Sequence, residues 1–306
     1  MNIEKMFSTI DTHVAGEAFR IIIQSSIDLN EDNVKSNHQL LQNFYQDEKD
    51  FLLNEPRGHR GMNGCIIISS KVADYGLLFF NHDQEAQFKY GGLVTSVTAL
   101  IETGNLNVKE NGIYKIETIQ GIHEVRVNFE NQEVSKVLIE SNECKVLENN
   151  GEYQLVEVDE SRNYVIFPLP DSIPNIDLDH LAFINKWGRK TVDRFTDENI
   201  PFDGIVITQS SGAAGNEICS VTFEKDGSIT RSPGMDSTFA IFTALKKISN
   251  ENNQLTNYSI FDSSITANYL PGTLNRFSVE IQGFTTGMHQ FIFDKKDPLK
   301  NGFLLK

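Results

Sequence analysis

The twelve residues Ile229–Ala240, ITRSPGMDSTFA, have the make-up of a turn that feeds a buried helix: a polar Thr-Arg-Ser, a Pro-Gly pair, then an apolar run. The first free N–H groups of such a helix, at the positive end of its dipole, suit a carboxylate or phosphate. Chemistry on that anion would want a nucleophile or base in the turn, yet the chain carries Gly234-Met235-Asp236 there. A second stretch is built alike: in KYGGLVTSVTALIETG, Lys89–Gly104, a glycine pair leads directly into an apolar run of helical length. Glycines at one such start would only let the backbone turn into the helix. Two matching starts favour anion binding, so Gly91, Gly92, Thr230, Gly234 and Met235 are candidate substrate-binding positions.

Most of the remaining chain reads as short strands between Gly, Asn and Asp turns, among them FRIIIQSSI, GCIIISSKV, YGLLFFN, YKIETIQ, HEVRVNFE, SKVLIES, YVIFPLP, GIVITQS, ICSVTFEK, FSVEIQG and HQFIFD. Helices are expected over Gly91–Gly104 and Ser232–Ser249, each apolar on more than one face as a helix enclosed by sheet would be. A smaller helix is expected in DLDHLAFINKWGRKTVDRF. Strand, turn, short strand, glycine and helix recur in the same order around Tyr90 and around Gly234, which marks an internal repeat and two similar domains. The expected division is 1–122 with 288–306, and 123–287.

The net charge of −15 and pI near 4.9 oppose a polyphosphate partner, so no nucleic acid is expected. No apolar run spans a bilayer and MNIEKMFSTIDTH lacks a signal-peptide core, from which no membrane partner and a cytoplasmic location are expected. Cys65, Cys144 and Cys219 form no CxxC, and Cys65 and Cys219 sit in strand-like apolar runs where a free cysteine is usually a small buried hydrophobe. His13, His59 and His289 have no partners at ligand spacing, so no metal is expected.

On IDTHVAGEAFRIII, NEPRGHRGMNGCII, GLLFFNHD, TALIETG, TRSPGMDSTFA and TTGMHQFIFDKKDPLKNGF, nearly the whole chain resembles the proline racemase family. That family includes hydroxyproline epimerases and 3-hydroxyproline dehydratases and shares the diaminopimelate epimerase fold. The resemblance implies an α+β chain of two pseudo-symmetric domains, each a strand-rich, barrel-like sheet around a central helix. It also implies catalysis without a cofactor, a homodimer, and a small amino- or imino-acid-like ligand. In the family, one thiol at each helix start moves the Cα proton of proline or hydroxyproline, and backbone N–H groups hold the substrate carboxylate; the dehydratases need one thiol only.

Where the resemblance would place Met-Cys-Gly-His, the chain has Lys89-Tyr90-Gly91-Gly92. Where it would place Asp-Arg-Ser-Pro-Cys-Gly-Thr-Gly-Thr, the chain has Thr230-Arg231-Ser232-Pro233-Gly234-Met235-Asp236-Ser237-Thr238. Both thiols are missing from the matched positions. Tyr90 and Asp236 are the candidate catalytic groups left, although a phenol would have to fall several units from about 10, and an aspartate is a weak base unless desolvated. The alternative is steric: the Tyr90 ring fills the old cavity, and Asp236 caps its own helix in place of a substrate carboxylate. His13 and Glu17 lie in the first matched motif, His13 being a further substrate-binding candidate. Arg57 and His59 are expected to pin a turn, and Asp294, Asp297 and Pro298 to shape another. Two functions follow: an enzyme of this superfamily using other than two-thiol chemistry, or a catalytically silent homologue that binds a metabolite or a protein.

Overall fold

The computed structural model describes residues 3–29, 31, 33–82, 88–212, 215–246 and 253–304. The chain divides into two compact units, Met1–Leu138 with Ile281–Lys306, and Ile139–Glu280. The first crossing falls later than 122 because β6 (Gly121–Glu130) and most of β7 (Glu133–Glu140) extend the first sheet through β5 (Ile113–Thr118).

The first unit also contains β1 (Ile3–Val14), β2 (Glu17–Gln24), α1 (Val34–Phe44), α2 (Gln46–Leu53), β3 (Met62–Ile68), β4 (Tyr75–Phe80), α3 (Tyr90–Glu102) and the returning strand β16 (Phe284–Asp294). Its strands run in the order β16-β1-β2-β3-β4-β5-β6-β7. The pairs β2–β3 and β4–β5 are parallel, and the others are antiparallel. Parallel neighbours need a crossover, supplied by α1 with α2 and by α3.

The second unit contains β8 (Cys144–Asn149), β9 (Gln154–Val158), β10 (Arg162–Pro168), a 3-10 turn Leu178–His180, α4 (Leu181–Asp197), β11 (Gly204–Ser210), β12 (Glu217–Phe223), α5 (Met235–Lys246), β13 (Gln254–Tyr258), β14 (Ser264–Tyr269) and β15 (Phe277–Ile281). From β8 to β15 the strands lie side by side in chain order, with β10–β11 and β12–β13 parallel and the rest antiparallel. The second unit thus repeats the first strand by strand, β9 matching β1, β10 matching β2 and α5 matching α3. Each mixed sheet rests on one central helix, the α+β architecture expected.

Every residue of α3 from Tyr90 to Ile101 is buried. Glycine, threonine and valine are poor helix formers, so packing against β1, β2 and β16 holds this helix rather than its own propensity. Its buried hydroxyls return to the backbone, Thr95 Oγ1 donating to Gly91 O at 2.9 Å and Thr98 Oγ1 to Val94 O at 2.8 Å. In α5, Thr243 Oγ1 donates to Phe239 O at 2.8 Å in the same way. The helix begins at Met235, after the Pro-Gly pair, and the expected stretch beyond Lys246 lies outside the described residues, as does the short strand expected before Phe88.

The opposite face of the first sheet packs under α1 and α2 through Leu41, Phe51, Leu52, Phe80 and Phe293; that of the second packs under α4 through Phe167, Phe195 and Phe223. The expected helix at Asp177–Phe195 is α4 with its preceding turn. Among the described residues no helix is long and apolar enough to cross a membrane. The polar turn is pinned as expected: Arg57 donates to Phe51 O at 2.7 Å, Leu299 O at 2.9 Å and Lys300 O at 2.7 Å, with Asp297 3.7 Å away. Asp294 and Asp297 each accept a backbone N–H two residues on, shaping the C-terminal turn.

The α5 start is fixed to two strands by Asn257, which is fully buried on β13. Its Nδ2 donates to Thr238 Oγ1 at 3.0 Å and its Oδ1 accepts from Ser220 Oγ at 2.8 Å. Because truncation strands buried polar partners, Asn257→Ala is expected to cost about 1–3 kcal/mol in urea unfolding, and Asn257→Leu should not recover the loss although it refills the volume.

Candidate functional site

In the first unit the β1–β2 hairpin turns at Ala15 and Gly16, both at positive φ, and delivers Glu17 to the start of α3. A Cβ on Gly91 would fall 2.6 Å from Glu17 Oε2 and 2.9 Å from the Phe19 ring, so a side chain there would have to displace both. Lys89 Nζ completes the joint 3.2 Å from Glu17 Oε1. Gly92 abuts the Phe79 ring, and Cys65 Sγ stands 3.3 Å from where its Cβ would be.

Tyr90 is completely buried. Its ring meets Phe88 edge-on at 4.9 Å and His123 at 6.1 Å, while Phe88 and His123 stack at 4.6 Å. The nearby Cys65 thiol is pushed well above its ordinary range by burial and by the Glu17 charge, with Lys89 opposing. His13 pairs with Ala18 across the hairpin and stacks on Phe284 at 5.2 Å. Its Nδ1 is buried with no hydrogen-bond partner among the described residues.

In the second unit the β9–β10 hairpin turns at Asp159 and Glu160, again at positive φ, and delivers Arg162 to the start of α5. Arg162 is 1% exposed and donates to both the Asp159 and the Asp236 carboxylates. Asp159 also accepts the Asn142 N–H at 3.0 Å. Asp236, expected to serve as a base or to cap its own helix, therefore has a guanidinium as a partner. The physical reason is its position one residue into α5, which carries the side chain toward the hairpin strand.

Thr230 holds the turn, its N–H donating to Thr222 O at 2.9 Å and its hydroxyl to Ser232 O at 3.1 Å. The Gly234 N–H, a candidate ligand donor, donates to Ser232 Oγ at 3.2 Å. The Met235 side chain is buried. Cys144, close to the Asp159–Arg162 pair, has its thiol pushed up to about 12 by burial, with Asp159 adding to the rise.

The repeat therefore conserves a joint and inverts its sign. In the first unit the hairpin strand offers an anion, Glu17, to a cation before the helix, Lys89; in the second the strand offers a cation, Arg162, to an anion in the helix, Asp236. Both candidate catalytic side chains are engaged within their own units, Tyr90 in an aromatic cluster and Asp236 in a buried ion pair. Sequence reasoning did not single out Arg162, Asp159, Phe88 or His123. In VDESRNYV the charges look solvated, and the signal that could have found them was the repeat itself, which aligns Arg162 with Glu17. Among the described residues no three His, Cys, Asp or Glu side chains are grouped to hold a metal ion.

A family model described as proline racemase matches residues 9–160. Across 100% of both chains the protein is 26% identical to a trans-3-hydroxy-L-proline dehydratase of Bacillus thuringiensis subsp. konkukian. Across 99% of both it is 22% identical to a proline racemase of Acetoanaerobium sticklandii. Among solved structures, a hydroxyproline epimerase from Agrobacterium vitis with bound trans-4-OH-L-proline superposes with TM-score 0.83 at 18% identity, covering 100% of this chain and 96% of that one. A probable proline racemase from Agrobacterium radiobacter with bound carbonate gives TM-score 0.84 at 19% identity, with 98% and 96% covered. At these identities the structural likeness is one of fold.

Removing Arg162 leaves two carboxylates buried without their shared cation. Arg162→Met is expected to destabilise by about 3–5 kcal/mol in denaturant unfolding, the cost of breaking a buried pair from one side. Asp236→Asn, which leaves Arg162 its Asp159 partner, should cost less, about 1–3 kcal/mol.

Proposed function

The chain belongs to the proline racemase family, and from that premise we propose that it holds a small amino- or imino-acid-like metabolite without performing two-thiol racemisation or epimerisation. One observation carries this reading: neither helix start bears a side chain fitted to move an α-proton. Gly234 has none, and the Tyr90 phenol belongs to a ring sealed among Phe88 and His123. Inverting a Cα needs a proton acceptor on one face and a donor on the other, with pKa values suited to the transfer.

The chain's own cysteines do not substitute. Cys65 and Cys144 are fully buried with raised pKa values, and Cys219 is pushed up to about 11 by burial, then by Asp177 and Asp262. A buried thiol that stays protonated is neither base nor nucleophile. Asp236 is tied to Arg162, and a carboxylate beside a guanidinium is a poor proton acceptor.

The ligand class is inferred from relatives described as acting on trans-3-hydroxy-L-proline and from the fold neighbour that holds trans-4-OH-L-proline. Helix-start N–H groups are suited to the carboxylate of such a molecule. The second reading, a silent homologue that binds a protein or another metabolite, is favoured by the same engagement of Tyr90 and Asp236. Both readings carry a cytoplasmic, cofactor-independent homodimer with no nucleic-acid or membrane partner, the acidic balance of −15 supporting the absence of polyanion binding.

A thermal-shift series over proline, its hydroxylated isomers and acyclic amino acids separates the two. A ligand in 100-fold excess over its Kd adds about 2.7 kcal/mol to stability, readily seen as a raised Tm. The metabolite reading expects at least one imino or amino acid to raise Tm and to be recovered unchanged. No shift across the series would leave the protein-binding reading.

A further inference from the structure

The outermost strand of the first unit's sheet is β16, and among the described residues it pairs with β1 alone. Its other edge presents a row of backbone N–H and C=O groups, which proteins ordinarily shield with charged residues, proline or a bulge. From Phe284 to Phe293 the strand reads FTTGMHQFIF, without Asp, Glu, Lys, Arg or Pro, in a chain of which 23% is charged. Its register with β1 shifts only near the ends, beside Ile3 and beside Asp11, which leaves a regular stretch from Gly287 to Phe293. The outer strand of the second unit is shielded in the ordinary way: β8 carries Lys145 and Glu148 and bulges between Val146 and Glu148.

Side chains alternate along the regular stretch. Phe291 and Phe293 turn to the side covered by α1 and α2. Met288, Gln290 and Ile292 therefore turn to the other side, where Met288 is 61% and Ile292 40% exposed. The register sets Met6, itself 40% exposed, beside Ile292, and the buried Ile10 beside Met288.

We propose that this edge seats a second copy of the chain, β16 pairing antiparallel with β16 about a two-fold axis at Gln290. Two copies of one strand become antiparallel about an axis normal to the sheet, which sets side chains of the same face opposite each other. Centred on Gln290, the stretch Gly287–Phe293 overlaps itself completely, and Met288 of each copy meets Ile292 of the other. Two apolar rows then cross the junction, each running through Met6 and Ile292 of one copy and Met288 and Ile10 of the other. Centred on His289 instead, Ile292 would meet Thr286; centred on Phe291, Met288 would meet Asp294. An uncharged edge that matches its own copy in this way argues for a second copy over a foreign strand. The inference gives a surface and a register to the homodimer carried by both functional readings, and rests on that part of them alone.

The test is sedimentation velocity of the full chain over a wide range of protein concentration. The unmodified chain is expected to dimerise, and Met288→Lys and Ile292→Glu, both at exposed positions, are each expected to weaken the dimer at least about tenfold. Combining them is expected to restore it, because the register sets each new lysine opposite the other copy's new glutamate, whereas within one strand the two lie about 13 Å apart. In a Cys219→Ser background, Gln290→Cys is expected to form a covalent dimer on mild oxidation, since facing Cα atoms of antiparallel strands lie within disulfide reach. Leu274→Cys, at a position 73% exposed in the second unit, is the control and is expected to cross-link far more slowly.

Single variants that dissociate without recovery in the combined chain, or Gln290→Cys cross-linking no faster than the control, would overturn the inference. A dimer that neither substitution weakens would overturn it too and leave the homodimer on another surface; a chain monomeric throughout would overturn both. None of these results bears on the ligand, which the thermal-shift series decides.

Discussion

The guanidinium of Arg162, buried between Asp159 and Asp236, is the contact on which the second unit's helix start depends. It closes a loop of constraints. The β9–β10 hairpin must turn through two left-handed residues to present Arg162, and α5 must begin at Met235 so that Asp236 meets it. Buried ion pairs add little net stability over a well-packed apolar core, but they fix register, because every misplacement leaves a charge unpaired. The register fixed here sets where the turn Thr230–Gly234 lies and which backbone groups the helix start presents.

The first unit solves the same problem with opposite signs. Glu17 takes the place of Arg162, and Lys89, just before the helix, takes the place of Asp236. The consequence at the helix start differs. Glu17 and the Phe19 ring crowd Gly91, whereas Asp236 sits inside its helix and leaves Gly234 limited by Ser237 and by its own φ. Two glycines that look alike in sequence are thus constrained for different physical reasons.

Strands with alternating or continuous apolar runs were legible, as were the two enclosed helices, because their apolar residues outrun any strand length. β1, β8, β9, β13 and β14 were not singled out, because polar residues interrupt their apolar pattern, some of them buried, such as Thr9 and Thr12 on β1 and Asn257 on β13. The helices α1 and α2 were missed because SNHQ and QDEKD mask a sparse apolar spacing, Val34 and Leu41, that only burial reveals. An available signal was Asn33, whose side chain caps α1 by accepting the Ser36 N–H at 2.8 Å. Of the candidate site, the positions of the helix starts were readable from the repeat; the partners of Tyr90 and Asp236 were not, since Arg162 and His123 are remote in sequence from the helices they serve.

On the proposed reading, the frame retains the turn and helix start and has given up a side chain able to take or return a proton. The most direct measurement of that claim is deuterium exchange at the α-carbon. L-Proline and 4-hydroxyproline are incubated with the protein in D2O and followed by NMR. The account predicts that the α-proton signals persist as they do without protein, and enzyme-like loss of either signal would contradict it.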